Sequence, residues 1–115
     1  MVIIRLRGGL GNQIFQYAFG YALAKKFNCL LKLDVSFYGQ QSLREFDLKS
    51  FNIENTIASY SESIKLGAPL NFKNKLIRKL KLSSLLFPNY IEEKKSFVYD
   101  QRIELINKPI YLDGY

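Results

Sequence analysis

Between Arg7 and Gln13 the chain reads Arg7-Gly8-Gly9-Leu10-Gly11-Asn12-Gln13, and these residue types at this spacing can do chemistry. Three glycines in four positions let a backbone turn sharply and approach a ligand closely. Asn12 stands where it can cap a helix that starts behind them. The orphan N–H groups of such a helix start and its positive dipole end converge on one point, which favours phosphate or another anion. Gly11 is the position expected to need a positive φ or a close approach. The Walker pattern fails, because Gly11 is followed by Asn12 and Gln13 rather than by Lys and a hydroxyl residue. The dinucleotide fingerprint also fits poorly. With Gly9 and Gly11 as its first two glycines, the third small residue would fall on Ile14, although Asp34 lies near the distance expected for a ribose contact. A tight turn before a capped helix, with no ligand, is the plainer reading of the same residues.

The elements that must position this loop can be read on either side of it. Val2, Ile3, Ile4 and Leu6, with Arg5 as the only charge, form a run suited to a strand buried on both faces. The segment Asn12 to Phe27 has helical length. It carries Ile14, Phe15, Ala18, Phe19, Ala22 and Leu23 on one side and Tyr17, Tyr21 and Ala24 on another. Only Gln13, Gln16 and Lys25-Lys26 interrupt it, so the helix is expected to be buried on most faces. Asn28 is its expected terminator, and Leu30 to Leu33 the second strand of a right-handed βαβ unit. Asp34 then falls at the carboxyl end of that strand, where open α/β sheets bind ligands, or serves as a turn residue before Ser36.

Further along, Tyr38-Gly39-Gln40-Gln41 is turn chemistry. Phe46, Leu48, Phe51 and Ile53 are expected to pack a loop onto the sheet edge. Arg44 can reach a phosphate or an acceptor hydroxyl, or pair with Glu45 or Asp47. Ser61 to Leu66 reads as a short helix capped by Ser61, with Gly67 and Pro69 after it. Lys73, Lys75, Arg78, Lys79 and Lys81 follow, interleaved with an apolar stripe of Phe72, Leu76 and Leu80. This is either a surface helix with its apolar side packed inward or a basic amphipathic helix lying on an anionic membrane. After the break at Pro88-Asn89, Phe97 to Asp100 and Ile110 to Leu112 are strand candidates, with a helical turn within Gln101 to Ile106.

Composition bounds the rest. The 115 residues suffice for one domain with a core, and at 48% hydrophobic and 15% aromatic the chain is not a disordered tail. Seventeen basic against ten acidic residues leave a net charge of +7, suited to an anionic partner. No nucleic-acid module accompanies the basic residues. Histidine is absent and cysteine occurs once, as Cys29, so this chain holds no His-based catalysis, no intramolecular disulfide and no His- or thiolate-ligated zinc. Cys29, beside Leu30 and Leu31, reads as a buried, inert thiol. No run approaches the roughly 18 apolar residues of a spanning helix, and no secretory leader precedes Val2. The expectation is a cytoplasmic bacterial protein, with peripheral contact to the inner face of a membrane.

The string Gly-Gly-Leu-Gly-Asn-Gln-Ile-Phe-Gln-Tyr-Ala at positions 8 to 18 resembles the N-terminal signature of the α-1,2-fucosyltransferases, glycosyltransferase family 11. Ala22-Leu23-Ala24, Leu33-Asp34, Arg44-x-Phe46-x-Leu48 with Phe51, and Tyr111-Leu112-Asp113-Gly114-Tyr115 follow in the same order. The Trp-Gln continuation and the His-x-Arg-Arg-Gly-Asp-Tyr donor motif of that family are absent. The resemblance implies that residues 1–115 are the N-terminal lobe of a two-domain, GT-B-like enzyme whose donor-binding lobe is missing. The implied fold is α/β, a Rossmann-like parallel sheet with helices on both faces. The implied reaction is transfer of L-fucose from GDP-fucose to the 2-hydroxyl of a galactoside, inverting and without a metal ion or further cofactor. On this reading the N–H groups of Gly9, Leu10 and Gly11 and of the helix start hold the pyrophosphate. Asn12 or Gln13 orients the sugar or acceptor, and Asp34 and Asp113 are candidates for acceptor contact or proton removal. A small dinucleotide-binding module and a non-catalytic interaction domain are the alternatives.

Overall fold

A computed structural model describes residues 1–39, 43–53, 56–93, 100–105 and 109–114; of Glu104 only the backbone is described. Four strands, β1 (Val2–Arg5), β2 (Leu31–Asp34), β3 (Tyr90–Glu92) and β4 (Ile110–Asp113), form one sheet in the order β2-β1-β4-β3. Every pairing is parallel. Such a sheet is buried on both faces, which is why β1 and β4 read as near-continuous apolar runs. On one face Ile4, Leu33, Ile91 and Leu112 meet Leu23 and Ala24 of α1 (Leu10–Lys26) and Ile103 of α5 (Arg102–Leu105). On the other, Ile3, Tyr90 and Tyr111 pack with Ala68, Leu66, Leu70 and Phe87. These belong to the stretch that carries α2 (Tyr60–Lys65), α3 (Phe72–Lys79) and α4 (Ser83–Leu86). The architecture is α/β with a parallel sheet, as expected. The free edge of β2 is covered by residues 56–58, through Leu33 N–H to Thr56 O (2.8 Å) and Ala58 N–H to Leu33 O (2.9 Å).

The expected elements return with shifted ends. Helix α1 starts at Leu10 with Gly9 as its N-cap and no side-chain cap, so Asn12 lies inside the first turn and does not cap it. Its other end closes as expected on Asn28 (φ 48), whose N–H bonds Lys25 O (3.1 Å) while Cys29 N–H bonds Ala24 O (2.9 Å). Cys29 is free and half-buried against the α1-side core. Helix α2 is capped by Ser59, not Ser61. Glu62 closes a capping box on Ser59, and its other carboxylate oxygen takes Lys32 Nζ of β2 at 2.5 Å. Phe46, Leu48 and Ile53 join the core as expected, but Phe51 stays exposed. Strand β3, just after Pro88-Asn89, was not foreseen. Of the strand expected at 97–100, residues 97–99 lie outside the described residues, as do Gln40 and Gln41 of the expected turn, Ile106 and Tyr115.

The largest departure is the rotation of α1. Gln13, Gln16, Gly20, Leu23 and Ala24 face the sheet, while Ile14, Phe15 and Tyr21 face outward. The helix is not buried all round, and the two glutamines that interrupt its apolar pattern lie inward. Space sets this rotation. A Cβ on Gly20 would stand 3.0 Å from both Ile4 Cγ2 and Leu31 Cδ1, so a bare backbone is what lets α1 lie on β1 and β2. Gly11, by contrast, is exposed and helical, with nothing within 4 Å of a would-be Cβ and no positive φ. The expectation of a strained Gly11 is overturned; the left-handed residue of the loop is Gly8 (φ 76).

Two outcomes follow for stability. Gly20→Ala should cost about 1–3 kcal/mol by overpacking, whereas Gly11→Ala should stabilise by up to about 1 kcal/mol through helix propensity; urea denaturation of the two variants measures both. The Glu62 carboxyl is held down from its ordinary 4.5 to about 2, first by Lys32 and then by the Ser59 bonds. A depressed carboxylate contributes stability that is complete above its unfolded pKa and lost as pH falls through its folded one. The advantage in thermal midpoint of the native chain over Glu62→Gln should therefore be full at neutral pH and shrink from pH 4.5 to about 2.

Candidate functional site

Parallel register sets the last residues of the four strands side by side. Arg5 is partnered by Asp34 on one side and Asp113 on the other, and Asp113 by Glu92. The carboxyl edge of the sheet thus carries the row Asp34, Arg5, Asp113, Glu92, on the face that also presents Tyr90 and Tyr111 two residues earlier. Asp113 is fully buried. It accepts from the Tyr90 hydroxyl (2.6 Å) and from Arg5 Nη1 (3.3 Å), and pairs with Arg7. Asp34, also buried, accepts from the Ser36 N–H (2.8 Å) and from the Tyr111 hydroxyl. At the end of the row Glu92 pairs with Arg78 of α3. The two tyrosine rings stack at 5.5 Å.

Burial pushes both phenols above their ordinary pKa, joined at Tyr111 by the adjacent Asp34 charge, so each remains a hydrogen donor at neutral pH. Burial, then the neighbouring Arg5, lowers the Arg7 guanidinium from 12.5, though arginine stays charged. Arg7, Arg78 and Tyr111 stood within motifs noted in the sequence, but neither they nor Arg5 and Tyr90 were expected in a buried network at the sheet edge. Arg5 carried a signal, as the single charge in an otherwise apolar buried strand. The tyrosines could be found only once the register was known.

Above this row the chain leaves β1 through Arg7, Gly8 and Gly9. Gln13, fully buried, fastens the turn. Its Nε2 donates to Gly8 O (3.1 Å) and Glu45 O (2.7 Å), and its Oε1 accepts from the N–H groups of Asp47 (2.9 Å) and Leu48 (3.3 Å). Gln16 Oε1 accepts from Arg7 N–H (2.9 Å), and the Tyr38 hydroxyl donates to Gly8 O (3.1 Å). Burial, then the Asp47 charge, pushes that phenol up to about 12, so the bond holds through the physiological range. Leu10, Gly11 and Asn12 are exposed on the first turn, and the first intrahelical bond runs from Gln13 N–H to Gly9 O (3.1 Å). Arg44 Nη1 lies 3.6 Å from where a side chain on Gly9 would begin.

Of the residues singled out from sequence, Gly9, Leu10, Gly11 and Asn12 therefore line an open helix start. Gln13 is sealed beneath it with both ends of its amide engaged. Asp34 and Asp113 lie in the buried network below rather than on the open surface. The arrangement offers backbone donors, a positive dipole end and a guanidinium at the carboxyl edge of a parallel sheet, a constellation suited to an anionic ligand.

The proteins this chain is similar to are glycosyltransferases. One, from Escherichia coli, is named alpha-1,2-colitosyltransferase and is 38% identical over 97 residues, 84% of this chain and 33% of that protein. Another, also from Escherichia coli, is named O-antigen biosynthesis glycosyltransferase WbnK and is 32% identical over 104 residues, 82% of this chain and 34% of that protein. The chain spans about a third of the length of these curated relatives. No family model matches it, and no solved structure does.

Gln13→Leu should destabilise the chain by about 3 kcal/mol or more, since Glu45 O and the N–H groups of Asp47 and Leu48 lose their partner, while Gly8 O keeps the Tyr38 hydroxyl, and each orphaned group costs roughly 1–3 kcal/mol. Asn12→Ala should stay within about 0.5 kcal/mol, as an exposed residue does; a loss near 1 kcal/mol would mark it as a helix cap after all. Chemical denaturation distinguishes the two.

Proposed function

We propose that this chain is the N-terminal lobe of a sugar-nucleotide-dependent glycosyltransferase, and that its glycine loop and the first turn of α1 hold the donor's pyrophosphate. One observation carries the reading: a glycine-led helix start with no side-chain cap, rigidly fastened, at the carboxyl edge of a parallel sheet in a chain similar to glycosyltransferases. As the glycosidic bond breaks, negative charge grows on the departing diphosphate. N–H groups of Leu10, Gly11 and Asn12, already oriented, stabilise that charge without reorganising. Asn12, exposed on the same turn, orients the sugar or the acceptor. Gln13 acts at one remove, by holding Gly8 in place.

The transferred sugar is a 6-deoxy-L-hexose delivered as its GDP derivative. The motif at positions 8 to 18 favours L-fucose, placed on the 2-hydroxyl of a galactoside. The colitosyltransferase relative favours colitose, which is L-fucose without its 3-hydroxyl. Both readings require the same lobe and the same loop, and differ only in the pocket for the sugar. The GT-B-like arrangement places the second lobe in the part of the relatives' length that residues 1–115 do not span. The outward face of α1, with Ile14, Phe15 and Tyr21 exposed, is where that lobe packs. Alone, residues 1–115 should not transfer sugar. A single exposed helix start contributes about 1 kcal/mol toward an anion, against the roughly 4 kcal/mol that even millimolar binding requires.

A chimera tests this reading. Residues 1–115 replace the matching third of the Escherichia coli alpha-1,2-colitosyltransferase, and release of GDP from GDP-fucose and from GDP-colitose is followed with a galactoside acceptor. The expected result is transfer by the chimera, none by the chain alone, and a loss of roughly a hundredfold in the Gly8→Val chimera, whose loop is displaced. A folded chimera without transfer, or transfer by the isolated chain, contradicts the reading.

A further inference from the structure

We infer that α3 and the turn behind it form a docking surface for an anionic lipid bilayer. The inward side of the helix carries two polar groups with partners in the rest of the protein, beside the half-buried Ile77. Asn74 is buried and donates to Ile64 O (3.0 Å) and Ala68 O (2.9 Å), and Arg78 pairs with Glu92. The apolar stripe therefore points away from the protein instead of packing inward. Phe72 is 82% exposed, Leu76 43% and Leu80 58%. At 100° per residue the stripe is centred on the outward face, with Lys75 and Lys79 along one margin and Lys73 along the other. The surface continues past Lys81 (φ 58), where the chain turns into α4 with Leu82, Leu85 (77%) and Leu86 also exposed.

Charge selects the occupant. Between Glu62 and Glu92 the sequence holds Lys65, Lys73, Lys75, Arg78, Lys79 and Lys81 and no acidic residue. Among the described residues Lys73, Lys75, Lys79 and Lys81 make no ion pair. The outward face of α1, with Ile14, Phe15 and Tyr21 exposed, carries its cations, Lys25 and Lys26, together in the last turn, Lys25 over the Tyr21 ring (5.2 Å), whereas lysines border the α3 stripe along its length. An apolar stripe bordered by long, unpaired lysines matches a bilayer surface, into which Phe and Leu insert while the ammonium groups reach the phosphates. Since Arg78 ties α3 to the end of β3, a helix lying on lipid also holds the carboxyl edge of the sheet within about 10 Å, one helix diameter, of the membrane.

The chain contains no tryptophan, so Phe72→Trp places a single reporter on this face without disturbing the core. The intact chain with that substitution is titrated with vesicles of phosphatidylcholine alone and of an equimolar phosphatidylcholine–phosphatidylglycerol mixture, with circular dichroism as the control for folding. Expected are a blue shift of emission and co-sedimentation with the anionic vesicles, both weakened by added salt. Each of Lys73, Lys75, Lys79 and Lys81 changed to Gln should lower partitioning on the order of fivefold, and Leu76→Ser should lower it without altering its salt dependence. Equal partitioning to neutral vesicles would overturn the inference. So would emission unchanged by anionic vesicles, or binding to a DNA duplex as tight as to lipid and indifferent to Leu76→Ser. Sedimentation of the native chain as a dimer that Leu76→Ser dissolves would assign the face to a second copy instead.

Discussion

A carboxylate removed from water must be neutralised where it lies, and Asp113 imposes that requirement on the carboxyl edge of this sheet. Isolated, such a buried charge would cost several kcal/mol. It is met by Arg5 and Arg7 from one neighbouring strand and its exit, and by the Tyr90 hydroxyl from the other. Those contacts tie β1, β3 and β4 together at their ends and fix the direction in which the backbone leaves β1. The glycine loop begins at that exit, so its position is set by electrostatics below it and by Gln13, Gln16 and Tyr38 above. The loop is fastened by its carbonyls and its flanking N–H groups, which leaves the first N–H groups of α1 facing outward. Rigid donors of this kind suit charge that appears during a reaction, because they need not reorganise to meet it.

Much of this fold was legible in the residues. The β-branched run Val2–Ile4 marked β1, short apolar stretches at Leu30–Leu33 and Ile110–Leu112 marked β2 and β4, the glycines and Asn28 marked the two ends of α1, and the parallel arrangement followed from strand, helix and strand in succession. What could not be read was orientation. The apolar residues of α1 lie nearly all round it, so periodicity could not choose a face. Steric clearance at Gly20 and four hydrogen bonds at Gln13 chose it instead, and both depend on segments far away in sequence. The same reversal occurs in α3, where Asn74 faces inward and Phe72 outward. In both helices a buried amide with backbone partners displaces larger apolar side chains to the surface. β3 escaped notice because three residues between a Pro-Asn turn and a charged stretch give no periodic signal. The site was legible as a glycine loop, but its strained member was misplaced. The charged row beneath it needed a strand register that sequence alone does not carry.

The two outward apolar faces differ in a way that matters for assembly. That of α1 lies beside the loop and carries cations only in its last turn, where Lys25 sits over the Tyr21 ring. That of α3 is bordered by lysines that make no ion pair among the described residues. No helix among the described residues is long and apolar enough to cross a membrane, so any contact with lipid would be made from the surface. The chain spans about a third of its relatives' length, and Phe15 and Tyr21 of α1 are exposed on the side away from the sheet.

The central claim is that the glycine loop and the first turn of α1 receive the diphosphate of a sugar nucleotide. Crystallography of residues 1–115 joined to the remaining two-thirds of a relative, with GDP bound, addresses it most directly. The account predicts diphosphate oxygens within hydrogen-bonding distance of the N–H groups of Leu10, Gly11 and Asn12. A diphosphate bound wholly by the other lobe, with the start of α1 open to solvent, would contradict it.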